Sequence, residues 1–251
     1  MKLTFMGTGT SHGIPTIGCR CAVCRSENPK NKRTRCGALL NIDGRNWLID
    51  TPTEFRLQAL REKLTHVDAV LYTHGHADHI LGLDDLRVFT TEAPLPVYGN
   101  REALKTIRTA FPYAFKPPKQ AGGGFPSLEP HCVSRPFVLY GTEVVPLPVF
   151  HGRIPILGYR IGDLAYITDA SFIPEPTFSL LDGSRYLVLN ALRYYPHPTH
   201  FSIAQALKAA ARIGSDRVFL THICHNAEHE LVNGTLPAGV ELAYDGLSVE
   251  L

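Results

Sequence analysis

Residues 73–80 read Thr-His-Gly-His-Ala-Asp-His-Ile, directly after the apolar run Val70-Leu71-Tyr72. His74, His76, Asp78 and His79 are four metal-ligand types within six residues. Just past the carboxyl end of a buried strand they would form a cup of donors that two cations could share, because open sheets flanked by helices gather their ligand sites at that end. Imidazole is the commonest metal ligand, and the chain holds 12 histidines against one tryptophan and two methionines. Further polar residues stand in the same register, each closing an apolar run: Asp50 after Trp47-Leu48-Ile49, His151 after Val149-Phe150, Asp169 after Ile167-Thr168 and His222 after Leu220-Thr221. One histidine at a strand end is ordinarily a hydrogen-bonded structural residue; the recurrence points to a shared centre. Two divalent cations about 3.5–4 Å apart can clamp the attacking and leaving oxygens of a phosphoester, and a metal lowers the pKa of its water from 15.7 toward about 7. A carboxylate between two such cations would offset their charge.

A second constellation is Cys19-Arg20-Cys21-Ala22-Val23-Cys24, which holds three of the six cysteines. Three thiolates hold most of a metal ion, but a closed structural zinc site wants four ligands. Disulfide pairing and inert thiols are the alternatives. The N-terminal sequence lacks the apolar core of a signal peptide, and no window approaches the ~20 apolar residues of a membrane span. A cytoplasmic location is therefore expected, where thiols stay reduced, and this favours metal. The late motif Thr221-His222-Ile223-Cys224-His225-Asn226 offers the missing donor. If the strand gives way to a turn after His222, His225 can point elsewhere and complete Cys19, Cys21 and Cys24 as a Cys₃His zinc site. Cys36 and Cys132 have no such company and are expected to be small buried or half-buried thiols.

These residues need elements to position them. A length of 251 residues suits one large domain, read here as 1–251, and a net charge of +2 sets up no strong field toward a long polyanion or a membrane. Residues 2–6 read as a strand ended by Gly7-Thr8-Gly9, and 38–50 as a hairpin on Asp43-Gly44. Apolar spacing predicts helices over 53–63, 101–111 and 202–213, the last with Ser202 as N-cap and Gly214 as its stop. Residues 67–74 and 216–222 read as buried strands, and 137–151 and 156–170 as apolar runs around glycine turns. Residues 240–251 read as a closing hairpin on Asp245-Gly246. Coexisting hairpins and strand–helix alternation predict a mixed α/β architecture rather than a purely parallel sheet. The stretch 113–130, rich in Gly and Pro, reads equally as a surface loop or as a lid.

Taken in order, the H-x-H-x-D-H run, the isolated His151, then Asp169 and His222 resemble the metallo-β-lactamase fold of metallohydrolases, over essentially the whole chain. The resemblance implies an αββα sandwich of two mixed sheets flanked by helices. It implies that His74, His76 and His151 bind one divalent metal, that Asp78, His79 and His222 bind the other, and that Asp169 bridges them. Asp50 would support the ligands, and the ions would be Zn²⁺, Mn²⁺ or Fe²⁺. The cysteine loop with its late histidine is similar to the subgroup around phosphoribosyl 1,2-cyclic phosphate phosphodiesterase, in which such residues hold a structural zinc.

The ligands alone do not choose the substrate. His200, in Pro198-Thr199-His200-Phe201-Ser202, stands just before a helix. In phosphodiesterase branches of the family a histidine in this region faces the scissile phosphate, so His200 is expected to be catalytic, protonating the leaving oxygen or stabilising the phosphorane; Asp78 is carried beside it in the catalytic set. His197 is the rival, and the helix N-terminus nearby would favour an anion. His12, in the glycine-rich turn 7–15, could approach substrate or lie exposed. The basic run 25–35, with Arg25, Lys30, Lys32, Arg33 and Arg35, reads as solvated surface, as do His66, His131 and His229. The expected partner is a small, cyclic phosphodiester. No membrane is implied, and net charge and the absence of an extra basic segment argue against nucleic acid. The alternatives are an endonuclease resembling those that process tRNA 3′ ends, and a thioester or lactone hydrolase with the same ligands. Dimers are common in the family, which makes a homodimer the assembly to test.

Overall fold

The computed structural model describes residues 1–116 and 124–251. In the first sheet β1 (Lys2–Gly7), β2 (Gly37–Ile42) and β3 (Arg45–Ile49) form an antiparallel meander, and β4 (Ala69–Leu71), β5 (Leu95–Gly99) and β6 (Leu128–Cys132) extend it in parallel. In the second sheet β7 (Phe137–Leu139), β8 (Thr142–His151), β9 (Ile154–Ile161) and β10 (Leu164–Ile167) are antiparallel, and β11 (Tyr186–Asn190), β12 (Arg217–Thr221) and β13 (Val240–Leu242) continue in parallel. β14 (Ser248–Glu250) returns to pair with β1, which makes two mixed sheets of seven strands each. The helices are α1 (Ala22–Arg25), α2 (Phe55–Arg61), α3 (Ala77–Ile80), α4 (Arg101–Ala110), α5 (Glu175–Leu181), α6 (Ile203–Ile213) and α7 (His229–Asn233).

The layering follows from alternation. Leu3, Phe5, Leu40 and Trp47 of one sheet meet Leu157, Tyr159, Tyr166 and Phe219 of the other in a shared apolar core. The opposite face of the first sheet, with Leu48, Val70 and Val97, is covered by Phe55 of α2 and by Leu104 and Ile107 of α4. The opposite face of the second, with Leu147, Ile167 and Leu220, is covered by Leu181 of α5, Ile203 and Ala206 of α6 and Val232 of α7. This is the αββα sandwich of the expected fold class. Two bonds stitch the sheets together next to the histidine motif: the Tyr159 hydroxyl donates to the Tyr72 carbonyl at 2.7 Å, and Leu157 N–H to the Thr73 carbonyl at 3.0 Å.

The three predicted helices, the hairpin at Asp43-Gly44 and the glycine turns are present. Ser202 and Gln205 form a capping box, and Gly214 ends α6 at φ 77°. Four expectations are corrected. Residues 240–251 are not a hairpin: β13 joins the second sheet and β14 the first. The turn between them is held by the Asp245 carboxylate, which accepts bonds from the Thr8 and Thr34 backbone N–H and hydroxyl groups at 2.6–2.9 Å. His229 is buried, not exposed, and so is Arg33 of the basic run. Arg33 donates to the Thr8 hydroxyl, the Ala243 carbonyl and His229 Nδ1, so it ties the N-terminal loop to the C-terminal segment. Cys132 is exposed rather than buried, because β6 is the edge of its sheet. Part of the stretch 113–130 is β6, and its centre, 117–123, lies outside the described residues. Among the described residues no helix is long and apolar enough to cross a membrane.

Burial and the neighbouring Arg33 guanidinium push His229 down to about 4. An unfolded histidine titrates near 6.5, so below that pH the unfolded chain takes up a proton that the folded chain refuses. This contribution to stability is complete above pH ~6.5 and is lost as pH falls toward 4. His229→Gln should shrink the drop in the urea midpoint between pH 7.5 and pH 5; an unchanged drop would assign it to other groups.

Candidate metal centre

The motif histidines leave the end of β4 and run into α3, which carries Asp78 and His79. His151 ends β8, and Asp50, Asp169 and His222 follow β3, β10 and β12. Asp50, Asp169 and His222 all have left-handed backbones, with φ of 63°, 57° and 56°. That conformation is uncommon for residues with a Cβ and clusters at functional positions. Here it turns the chain sharply as each strand ends, so the side chains converge from both sheets.

At the centre stands Asp169, 1% exposed. Its Oδ2 lies 3.4 Å from His79 Nε2, 3.3 Å from His200 Nε2 and 3.8 Å from His74 Nε2, and its Oδ1 lies 3.3 Å from His222 Nε2. Asp78 lies 3.4 Å from His79 Nε2 and 3.8 Å from His222 Nε2. The His76 ring packs edge-on to His74 and His151, with centroids 4.6 and 5.0 Å apart. The structure thus brings His74, His76 and His151 together as one donor group, and Asp78, His79, Asp169 and His222 as another, the ligand atoms of each within 4.8 Å of one another.

The Nδ1 atoms of His74, His79 and His151 are anchored. His79 Nδ1 donates to Asp50 Oδ2 at 2.7 Å, and Asp50 also accepts from Thr73 N–H and hydroxyl at 2.8 Å. His74 Nδ1 meets the Thr73 hydroxyl at 3.0 Å. His151 Nδ1 donates to the Asp169 and Thr199 carbonyls, both at 2.8 Å. Each anchor fixes a tautomer and turns Nε2 toward the centre, as metal-binding histidines require. Sequence reasoning did not single out Thr73, whose neighbours drew the attention.

Burial works against charge on Asp169 and Asp78, but the surrounding His222 and His79 rings outweigh it and hold both carboxyls below the usual range. Burial pushes His74 well down and leaves its ring neutral. A buried ionised carboxylate among imidazoles is an environment built for cations. The residues fit divalent metals on a second count: His79 Nε2 and both ring nitrogens of His222 are buried with no hydrogen-bond partner, a costly arrangement that a cation on the Nε2 lone pair of each ring would relieve in part.

His200 enters the same cluster from the loop before α6. Its side chain is 12% exposed, its ring stacks on His222 at 4.9 Å, and its Nδ1 meets the Thr199 hydroxyl at 3.0 Å and His197 Nδ1 at 3.1 Å. The rival His197 bonds to His200 Nδ1 and lines the same cleft, and His200 is the one of the two that reaches the Asp169 carboxylate. Burial lowers His200 to about 4. The helix N-terminus is not left open for an anion: Ile203 N–H donates to the Arg193 carbonyl, and Ser202 and Gln205 satisfy each other.

The cysteine loop converges on His225 as expected. Cys19, Cys21 and Cys24 Sγ lie 3.2, 3.6 and 3.5 Å from His225 Nδ1. Zn–S and Zn–N bonds at a tetrahedral angle put sulfur and nitrogen about 3.5 Å apart, so the four donors fit a closed zinc site. The Cys24 N–H donates to Cys21 Sγ and lowers the Cys21 pKa toward the thiolate that a metal needs. Cys224 is buried and turns toward Asn226 instead.

Between the two donor clusters lies a cleft of about 400 Å³, lined by Thr10, Ser11 and His12 from the N-terminal loop, by Arg193 and His200, and by His225 and Asn226. Arg193 carried no sequence signal. A smaller hollow of about 230 Å³ opens on the other flank, bounded by His74, His76, Glu102, Ile154 and Pro155.

A model of the beta-lactamase superfamily domain matches residues 45–223. An octanoyltransferase of Porphyromonas gingivalis is 40% identical over 250 residues, which make up 98% of this chain and 51% of that protein; the chain spans about half the length of this curated relative. The crystal structure of a diphosphatase from the PhnP family matches with a TM-score of 0.93 at 42% identity, over 100% of this chain and 97% of that one. Zn²⁺-bound PqqB from Methylobacterium extorquens matches with a TM-score of 0.81 at 19% identity, covering both chains fully, and thus shares the fold.

Two outcomes follow for the metal-loaded protein. Cys21→Ser should cost one zinc per chain by elemental analysis and lower the Tm, while metal at the Asp169 cluster stays; an unchanged metal count would exclude the Cys₃His site. Asp50→Asn should weaken metal retention at the Asp169 cluster about 10–100-fold in chelator competition, because His79 loses its anchor; retention equal to wild type would remove that role from Asp50.

Proposed function

Because the chain belongs to the beta-lactamase superfamily, we propose that it is a dinuclear-metal phosphodiesterase acting on a small, cyclic phosphodiester in a reducing, cytoplasmic setting. One observation carries the reading: His200, whose Nε2 stands 3.3 Å from the Asp169 carboxylate, lines a cleft together with hydroxyls, further imidazoles, an amide and a guanidinium. Such a wall suits a charged, hydroxylated substrate. The PhnP-family diphosphatase at 42% identity supports the same class of chemistry.

In this reading His74, His76 and His151 hold one metal, Asp78, His79 and His222 hold the other, and Asp169 lies between. Bound metals would supply Lewis acidity and an activated water at neutral pH. The chain's own residues do the rest. Asp50 and the carbonyls of Asp169 and Thr199 keep the His79 and His151 rings in one tautomer. His200, oriented by the Thr199 hydroxyl, presents Nε2 to the departing oxygen, where it stabilises negative charge or delivers a proton. The Cys₃His site fixes the wall of the cleft by pinning the N-terminal loop to His225.

The octanoyltransferase name raises acyl chemistry as the competitor. An eight-carbon chain needs an apolar channel, and the cleft lining contributes Leu192 among polar neighbours. The name also belongs to a protein of which this chain covers 51%.

The test is a panel assayed with metal-loaded protein: bis(p-nitrophenyl) phosphate, a ribose 1,2-cyclic phosphate, 2′,3′-cyclic nucleotides, a tRNA precursor, an octanoyl thioester and a lactone. Turnover of the small phosphodiesters is expected, and turnover confined to the thioester or lactone would overturn the reading. His200→Ala should lower kcat about 10²–10⁴-fold with metal content intact; unchanged turnover would remove its catalytic role.

A further inference from the structure

Helix α4 carries Arg101, Lys105 and Arg108 at i, i+4 and i+7, all three exposed, while its Leu104 and Ile107 are buried against the first sheet. The three cations line a cavity of about 500 Å³ between α4 and β6, together with the apolar Leu104 and Pro130 and the exposed thiol of Cys132. No carboxylate lines it. Because β6 is the edge of its sheet, no further strand of that sheet covers the cavity on that side.

Other surface cations find partners. Lys30, Arg185 and Arg217 lie 2.8–2.9 Å from Glu230, Asp216 and Glu241, whereas among the described residues Arg101, Lys105 and Arg108 pair with no carboxylate. The one acid of α4, Glu102, borders the hollow at His74 and His76 instead. Like charges one helical turn apart repel and destabilise the helix that carries them. A chain with a net charge of only +2 thus concentrates three uncompensated cations around one cavity. An anion placed there turns the repulsion into attraction, and guanidinium forks with an ammonium between them suit the oxygens of phosphate-type groups.

The cavity stands apart from the metal centre. It shares no lining residue with the cleft at His200 or with the hollow at His74. Helix α4 lies between, since Glu102, Ala103 and Thr106 border the hollow while Arg101, Lys105 and Arg108 border the cavity. A volume of about 500 Å³ is that of a small-molecule site.

We propose that α4 and β6 form a second anion site, which binds a small polyanion: a compact carbon skeleton bearing two or three phosphate-type groups. The skeleton rests on Leu104 and Pro130, and the charged groups meet Arg101, Lys105 and Arg108. The site does not depend on the phosphodiesterase reading and stands or falls separately from it.

Cys132 reports on the site from inside, because it is the exposed one of the six cysteines. The experiment labels the metal-loaded full chain with 5,5′-dithiobis(2-nitrobenzoate). The Cys132 thiolate attacks one sulfur of that disulfide and expels the other as a coloured thiolate, and Cys132→Ser identifies its share of the signal. The probe ligand is naphthalene-1,3,6-trisulfonate, a trianion and a poor metal ligand. It should slow labelling of Cys132 in the wild type, and calorimetry on Cys132→Ser should find one bound per chain. Lys105→Gln and Arg108→Gln should each raise its Kd about 3–10-fold, with metal content, Tm and hydrolysis of bis(p-nitrophenyl) phosphate unchanged. Absence of binding, or a Kd unaltered by both substitutions, would overturn the site. A Kd raised equally by Arg193→Gln would place the anion in the His200 cleft and overturn it as well. Protection of Cys132 by a single-stranded oligonucleotide but not by the trisulfonate would replace the small polyanion with nucleic acid.

Discussion

The structure is organised around a carboxylate that could not stand alone. Asp169 is 1% exposed, and burial by itself would drive it to the protonated form. It stays ionised because His222, His79 and His200 approach it from different elements. Those rings are brought there by strands of both sheets, so the carboxylate's environment exists only when the two sheets are packed in register. The bonds from Tyr159 to Tyr72 and from Leu157 to Thr73 secure that register one residue or two from the histidine motif. Packing and site therefore depend on one another: the apolar face between the sheets supplies the free energy, and the strand ends convert it into positioned charge.

A second dependence runs through the N-terminal loop. Thr8 bonds to Asp245 and Arg33, Thr10 N–H to the Ile223 carbonyl, and the cysteines gather at His225. Residues far apart in sequence thereby hold the segment 221–225, which places His222 in one donor cluster and His225 in the other. The two residues between them allow one short turn to serve two sites, and Ile223, buried between, takes its backbone bonds from the loop that carries Thr8 and Thr10.

How much of this could be read in the sequence depended on whether the signal was local. The H-x-H-x-D-H run is contiguous because one strand end supplies four donors, and Asp50, His151, Asp169 and His222 announced themselves by following apolar runs. The cysteines did so by spacing. What escaped was set by tertiary contact. His229 and Arg33 look like polar surface residues and are buried because each bonds to the other and to partners distant in sequence. The Asp245-Gly246 turn has hairpin chemistry, but its flanking strands find partners in different sheets, and the Asp245 side chain is spent on Thr8 and Thr34. The left-handed backbones of Asp50, Asp169 and His222 could not be read from the sequence: Asp and His are enriched in that conformation, yet only a small fraction of them adopt it.

Arg193 belongs with these, and it shows why a ligand set leaves substrate choice open. The metal donors are fixed by strand ends that a shared fold reproduces, as the PqqB structure at 19% identity illustrates for the fold itself. The cleft is built from what lies between those ends: the 190–200 strip, the N-terminal loop and the turn at 224–226. These are loops, free to change without disturbing either sheet. The Arg193 guanidinium stands in that cleft, whereas the Glu102 carboxylate, from α4, borders the hollow on the other flank, so the two sides of the donor cluster differ in charge although one fold supplies both.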